Sequence, residues 1–238
     1  MVVLPVSGKS GSYRVEPSKI IALGLNYHSH IVESHSVKVS GFTEEVPKEP
    51  ILFPKTPNVL IGPGEPVVIP AFLLDYGFED LRTDYEAELA VIIGKRCKNI
   101  KAEAAFDHIF GYTCINDVSQ RNIQSGDRSG WFRGKSLDTF GPIGPRVVTR
   151  EEMGDPQSLR IQCRLNGKTV QDANTSQMIF PIDRLIEFIS ENFTLLPGDI
   201  IATGTPGGVG RIAHADVVEV EIEKIGILSN PVVEEWKR

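Results

Sequence analysis

Cysteine is scarce in this chain. Its 238 residues hold three, Cys97, Cys114 and Cys163, an odd number with no C-x-x-C spacing. That speaks against a disulfide framework and against a zinc site, and leaves the three as small buried hydrophobes. Basic clusters are missing as well. Lys and Arg number 25 against 31 Asp and Glu, for a net charge of -6, and the basic residues are scattered, so nucleic acid is not an expected partner. No window approaches the roughly 18 apolar residues of a membrane span. The start, MVVLPVSGKSGSYRVEP, lacks the charged head and long apolar stretch of a signal peptide. The expectation is a cytoplasmic protein with no membrane partner. Internal repeats and low-complexity tracts are also absent.

What is present is an ordinary globular composition, 41% hydrophobic and 24% charged, on a chain long enough to bury a core. Proline and glycine gather in PKEPILFPKTPNVLIGPGEPVVIP, residues 47 to 70, which separates an N-terminal piece from the body. The body is rich in short apolar runs bounded by turn signals: KIIALGLN, PILF, PVVIP, ELAVIIG, IFGYTCIN, GPRVVT, RIQCRLNG, DIIATG and DVVEVEIEKIG. These predict strands. The pair Asn166-Gly167 predicts a hairpin between RIQCRL and KTVQDANT. Helical patterns are few. DRLIEFISEN, residues 183 to 192, puts Leu185, Ile186 and Ile189 on one face, and YHSHIVESH is a second, short candidate. Many strands, few helices and no regular βαβ alternation predict an α+β fold.

Within DYEAELAVIIG, residues 84 to 94, Glu86 and Glu88 stand two apart at the head of an otherwise apolar run. In a strand they share a side, while Tyr85, Ala87 and Leu89 face the other way. Adjacent like charges are tolerated in water, or they hold a proton or a cation between them. A wet strand edge accounts for the pair as well as a site does. A second apolar run, IFGYTCIND, ends in Asp117. If the two strands are neighbours, three carboxylates converge into an all-oxygen site suited to Mg²⁺, Mn²⁺ or Ca²⁺ rather than zinc.

Two glycine motifs resemble nucleotide-binding loops, and neither meets the requirements of one. WFRGKSLDTFGP contains G-K-S, but position 129 is Ser, where a Walker A loop needs Gly, and Trp131 and Phe132 would obstruct phosphates. GTPGGVG, residues 204 to 210, follows the strand IIAT without opening a helix, which makes it a loop for close backbone approach to a ligand.

Taken in order, GLNYHSHIVE, ILFPKTPNVLIGPGEPVVIP, DYEAELAVIIG, GYTCINDVSQRNIQ, FRGKSLDTFGPIGP and LLPGDIIATGTPGGVG resemble the fumarylacetoacetate hydrolase family from about residue 19 to the C-terminus. The resemblance implies a mixed β-roll of that family's C-terminal-domain type, dimeric, with a small N-terminal region over residues 1–60 that carries a lid. The metal-binding catalytic domain would then span residues 61–238. It implies Mg²⁺ or Mn²⁺ held by Glu86, Glu88 and Asp117. Lys135 is expected to meet the developing oxyanion, and Arg121, Gln124 and Thr205 to hold substrate oxygens.

The family's carbon-carbon-cleaving members carry a His/Glu pair on the lid, which maps onto His30 and Glu33. At i and i+3 on a helix the carboxylate can orient the imidazole and stabilise its charged form. A surface histidine beside a glutamate is the plainer reading of those two residues alone. His28 and His35 are read as surface neighbours, with His28 near enough to exchange roles with His30. His108 and His214 are given none.

The resemblance thus implies an enzyme for enolisable 2-oxo acids, either a hydrolase cleaving an acylpyruvate or a decarboxylase of oxaloacetate. The alternatives are an isomerase of the 2-hydroxyhepta-2,4-diene-1,7-dioate type or a tautomerase of oxaloacetate, a small-acid binding protein without turnover, and a purely structural β protein.

Overall fold

The computed structural model describes residues 1–8, 10–33, 46–126 and 131–237, apart from the side chains of residues 32 and 33. Its main sheet has seven strands in the order Ile51–Lys55, Ile20–Gly24, Ile200–Ala202, Ala87–Ile93, Ile109–Asn116, Gly141–Thr149 and Leu60–Ile61. The pairings of Ile20–Gly24 with Ile200–Ala202 and of Gly141–Thr149 with Leu60–Ile61 are parallel; the other four are antiparallel. Both margins of the sheet that carries the acidic runs therefore come from one stretch of chain, residues 51–61. A five-stranded sheet runs Lys168–Asn174, Arg160–Leu165, Val217–Ile222, Gly226–Glu234, Val67–Ile69. A third, small sheet joins Ser119–Gln120, Thr83–Tyr85 and Gly210–Ile212.

Apolar side chains explain why the central strand is central. Every residue of Ala87–Ile93 is buried. Ala87, Leu89, Val91 and Ile93 pack into one core cluster, with Tyr112, Cys114, Val220 and Ile186, while Ala90 and Ile92 pack into a second with Ile20, Phe53 and Ile143. A strand covered on both faces reads as a continuous apolar run, which is why ELAVIIG shows no alternation. The helix Ile182–Asn192 covers the first cluster with Leu185, Ile186 and Ile189, all at 0% exposure. All three cysteines are buried and unbridged, and burial pushes the Cys97 thiol up to about 11.

The Asn166-Gly167 hairpin forms as expected. Leu165 pairs with Lys168, and both turn residues have positive φ, 52° and 77°, the geometry of a two-residue primed turn. One strand differs from expectation. DVVEVEIEKIG divides into Val217–Ile222 and the first residue of Gly226–Glu234, because Lys224 and Gly226 turn the chain with φ of 67° and 105°. That second strand carries Pro231, and proline seldom sits inside a sheet. Among the described residues no helix is long and apolar enough to cross a membrane.

Candidate active site

Antiparallel pairing of Ala87–Ile93 with Ile109–Asn116 sets Ala87 opposite Asn116 and Glu88 opposite Ile115. The acid-bearing ends of the two strands therefore coincide. At Glu86 the chain leaves the small sheet for the main one, and the step is pinned by Glu86 N–H donating to Asn116 Oδ1 (2.9 Å) and Asp117 N–H donating to the Glu86 carbonyl (2.9 Å). Glu86, Glu88 and Asp117 are all buried, and one carboxylate oxygen from each lies within 4.8 Å of the others.

Three buried cations surround them. Lys135, the last residue of the short helix Phe132–Lys135, donates from Nζ to Glu86 Oε2 and to Asp117 Oδ2, both at 2.7 Å. Its ammonium also lies 5.0 Å from the centre of the Phe53 ring. Arg121 opens the helix Arg121–Gly126; its guanidinium donates to Glu86 Oε1 at 2.5 Å, to Asp84 Oδ2 at 2.8 Å and to Gln124 Oε1 at 2.9 Å. Lys55 Nζ lies 2.6 Å from Asp117 Oδ1.

These neighbours divide the two glutamates. Burial raises the Glu86 carboxyl, but Lys135, Arg121 and then His30 outweigh it and hold Glu86 ionised well below the usual range. Glu88 is pushed the other way, first by burial, then by Asp117 and Glu86. Among the described residues no ion pair reaches Glu88. Its Oε2 accepts from Gly204 N–H at 2.8 Å, and its Oε1 is buried with no donor. A buried carboxylate oxygen without a donor, facing two other acids, suits a hard cation as its partner. The donor set is all oxygen, so Mg²⁺ or Mn²⁺ fits it.

The pocket over this cluster is lined by His30, Glu86, Arg121, Gln124, Lys135 and Thr205 on its polar side, and by Leu23, Leu25, Phe53 and Trp131 on its apolar side. The helix His28–Glu33 places His30 in that lining, with His28 exposed. Glu33 ends the same helix; its side chain and all of His35 lie outside the described residues. Trp131 caps the Lys135 helix at a φ of 72°, in edge contact with Phe53. Its indole lies over Gly24, where a Cβ would stand 2.6 Å from the ring, so that position has room for glycine alone. Thr205 sits in the GTPGGVG loop, which forms no helix, and Gln171 fastens it by donating to Thr205 Oγ1 (2.9 Å) and the Pro206 carbonyl (2.8 Å) while accepting from Ala87 N–H (3.1 Å).

The sequence-predicted residues with described side chains thus meet in one place. Three neighbours were missed. Asp84 belongs to the same D-Y-E-A-E alternation and was legible from it. Lys55 reads as an ordinary edge-strand lysine, and Gln171 comes from a distant hairpin that no spacing connects to the site. His108 and His214 do not line the pocket; His214 Nδ1 accepts from Glu234 N–H at 3.2 Å.

Comparison with known proteins places this geometry. Residues 19–233 match the fumarylacetoacetate (FAA) hydrolase C-terminal family. The mitochondrial oxaloacetate tautomerase fahd2 of Xenopus laevis is 45% identical over 226 residues, covering 91% of this chain and 66% of that protein. The crystal structure of 2-hydroxyhepta-2,4-diene-1,7-dioate isomerase from Mycobacterium marinum superposes with a TM-score of 0.79 at 37% identity, over 96% of this chain and 82% of that one. Fumarylpyruvate hydrolase from Pseudomonas aeruginosa, solved in complex with Mn²⁺ and pyruvate, gives a TM-score of 0.84 at 28% identity, over 98% and 96%. The mixed β-roll is the one expected of these proteins, and the chain belongs to the fumarylacetoacetate hydrolase family.

Proposed function

We propose that the protein is a divalent-metal-dependent enzyme that enolises small 2-oxo acids, with keto–enol tautomerisation of oxaloacetate as its reaction. The observation that carries this reading is the buried acid triad with Glu88 Oε1 unmet, opening on a pocket that also presents Lys135, Arg121 and His30. Relatives named for proton shifts, at 45% and 37% identity, support tautomerisation over cleavage.

Glu86, Glu88 and Asp117 would hold Mg²⁺ or Mn²⁺. When bound, the ion supplies Lewis acidity to the keto and carboxylate oxygens of a 2-oxo acid. The protein's own groups do the rest. Arg121, held by Asp84 and Glu86, and Gln124 orient the substrate carboxylate, and Thr205 receives a second oxygen. Lys135 places an ammonium beside the oxygen that becomes negative as the enolate develops. His30 moves the proton: one leaves the carbon next to the keto group, and one reaches the keto oxygen. Glu33 is assigned to orient His30. In this division the first sixty residues supply the lid and Lys55, and residues 61–238 supply the acids, Arg121 and Lys135. A homodimer belongs to the same proposal, read by light scattering.

A second reading, hydrolytic carbon-carbon cleavage of an acylpyruvate, is favoured by the near full-length likeness to fumarylpyruvate hydrolase. His30 would then activate a water for attack on the distal carbonyl, and the pyruvate enolate would leave. Decarboxylation of oxaloacetate needs the same enolate and no attacking water.

One experiment separates these. The protein is given enol-oxaloacetate and an acylpyruvate, with Mn²⁺ and after chelation, and products are followed by absorbance and NMR. Metal-dependent loss of the enol without carbon dioxide release is expected, and His30→Ala should abolish it while leaving Mn²⁺ affinity nearly intact. Pyruvate as product would establish cleavage or decarboxylation instead. Absence of any metal-dependent rate would leave a binding protein.

A further inference from the structure

Of the three buried cations described at this centre, Lys55 is the one that does not line the pocket. It ends the strand Ile51–Lys55 at the margin of the main sheet, where lysines ordinarily face water, yet its side chain is 0% exposed. The reason lies in the alternation of that strand. Phe53 and Lys55 fall on the same side of the strand, Phe53 in the second core cluster and under the Lys135 ammonium, Lys55 against Asp117. Burying an ammonium is costly unless it is paired and hydrogen-bonded.

Both conditions are met by groups of the site. Nζ lies 2.6 Å from Asp117 Oδ1, and it donates to the backbone carbonyl of Lys135. A single ammonium is thus fastened to a candidate metal ligand and to the C-terminal residue of the helix that carries the site's own lysine. Asp117 thus has an ammonium at each oxygen: Lys135 hydrogen-bonds Oδ2, and Lys55 stands in ion-pair contact with Oδ1, which has no hydrogen bond of its own.

We propose that Lys55 is a positioning residue for the metal centre: it fixes the Asp117 carboxylate and the Lys135 backbone together, so that ligand and oxyanion-binding lysine hold one spacing. The assignment rests on the triad being a divalent-ion site, as set out above, but not on which reaction follows. Partners that orient metal ligands are typically worth roughly 10- to 100-fold in affinity. Charge alone predicts the opposite sign. A nearby ammonium repels a divalent cation, so deleting it without disturbing geometry would tighten binding.

The test is Mn²⁺ titration by calorimetry of the whole protein, wild type beside Lys55→Met and Lys55→Gln, with near-ultraviolet circular dichroism to establish that each is folded. Mn²⁺ affinity is expected to fall by roughly 10- to 100-fold in Lys55→Met. Lys55→Gln, which keeps a donor on a shorter, neutral stem, should fall between, and it carries the same comparison if Lys55→Met does not fold. Unchanged or tighter Mn²⁺ binding in the folded variants overturns the assignment, whatever the enzyme catalyses. Wild-type protein that binds Mn²⁺ but turns over no 2-oxo acid removes the proposed reaction and leaves Lys55 in place. Wild-type protein with no Mn²⁺ affinity overturns both.

Discussion

At the scale of the residue, Glu88 concentrates the chemistry. Burial first, then Asp117 and Glu86, push its carboxyl well above the usual carboxylate range, so the folded state retains a proton at pH values where the unfolded chain releases it. The stability difference this creates is lost as pH rises from the ordinary glutamate value through the raised folded one. An arriving cation must displace that proton, so Mn²⁺ affinity should climb with pH across the same window. Glu88→Gln is expected to weaken Mn²⁺ by more than the roughly 10- to 100-fold that outer-shell partners contribute, and to flatten its pH dependence. Calorimetry at several pH values checks both, and an unchanged affinity would remove Glu88 from the ligand set. Period-two spacing made Glu86, Glu88 and Asp84 readable from D-Y-E-A-E alone. Lys55 was unreadable because the alternation of a short strand does not tell which face is core.

At the scale of the element, the parallel pair Ile20–Gly24 and Ile200–Ala202 depends on one buried carboxylate. Asp199 accepts from Ser18 N–H (3.0 Å), Ser18 Oγ (2.6 Å), Lys19 N–H (3.1 Å) and Leu196 N–H (2.7 Å), and pairs with Lys19 Nζ at 2.5 Å. Burial raises its carboxyl, but the bonds from Lys19, Ser18 and Leu196 outweigh it and depress it. A depressed acid contributes stability that is present above the unfolded value and lost as pH falls through the folded one. Asp199→Asn should cost about 1–3 kcal/mol near neutral pH and make the acid limb of a melting-temperature profile shallower than wild type. Equal acid sensitivity in the two proteins would show that other carboxylates set that limb. The hairpin at Asn166-Gly167 and the helix Ile182–Asn192 were legible because turn chemistry and a 3.6-residue period are local. Gly226–Glu234 was not, since only its neighbours Val217–Ile222 and Val67–Ile69 make Pro231 acceptable there.

At the scale of the whole molecule, the acid cluster sits where two central strands of the main sheet meet Lys55, Arg121 and Lys135 from three other elements, so a cation bound there stabilises the folded state as a unit. At a hundredfold excess over Kd, mass action contributes about 2.7 kcal/mol, which for a chain of this size is a rise of roughly 5–10 °C in melting temperature. Thermal melts with Mn²⁺ and with chelator check this. Coincident curves would show that the three buried acids hold no cation and are balanced by Lys135, Arg121 and Lys55 alone.

The amino-acid order by itself determined the strand-rich class, the turn at Asn166-Gly167, the shared side of Glu86 and Glu88, and the family motifs, because each of these is set within a few residues of chain. Tertiary structure alone decided that Ala87 faces Asn116, that Lys55 turns inward from a sheet margin, and that Gly204 offers its amide to Glu88. Those are matters of which strands become neighbours and which side chains lose their water, and burial rather than spacing is what turns adjacent acids into a place for a cation.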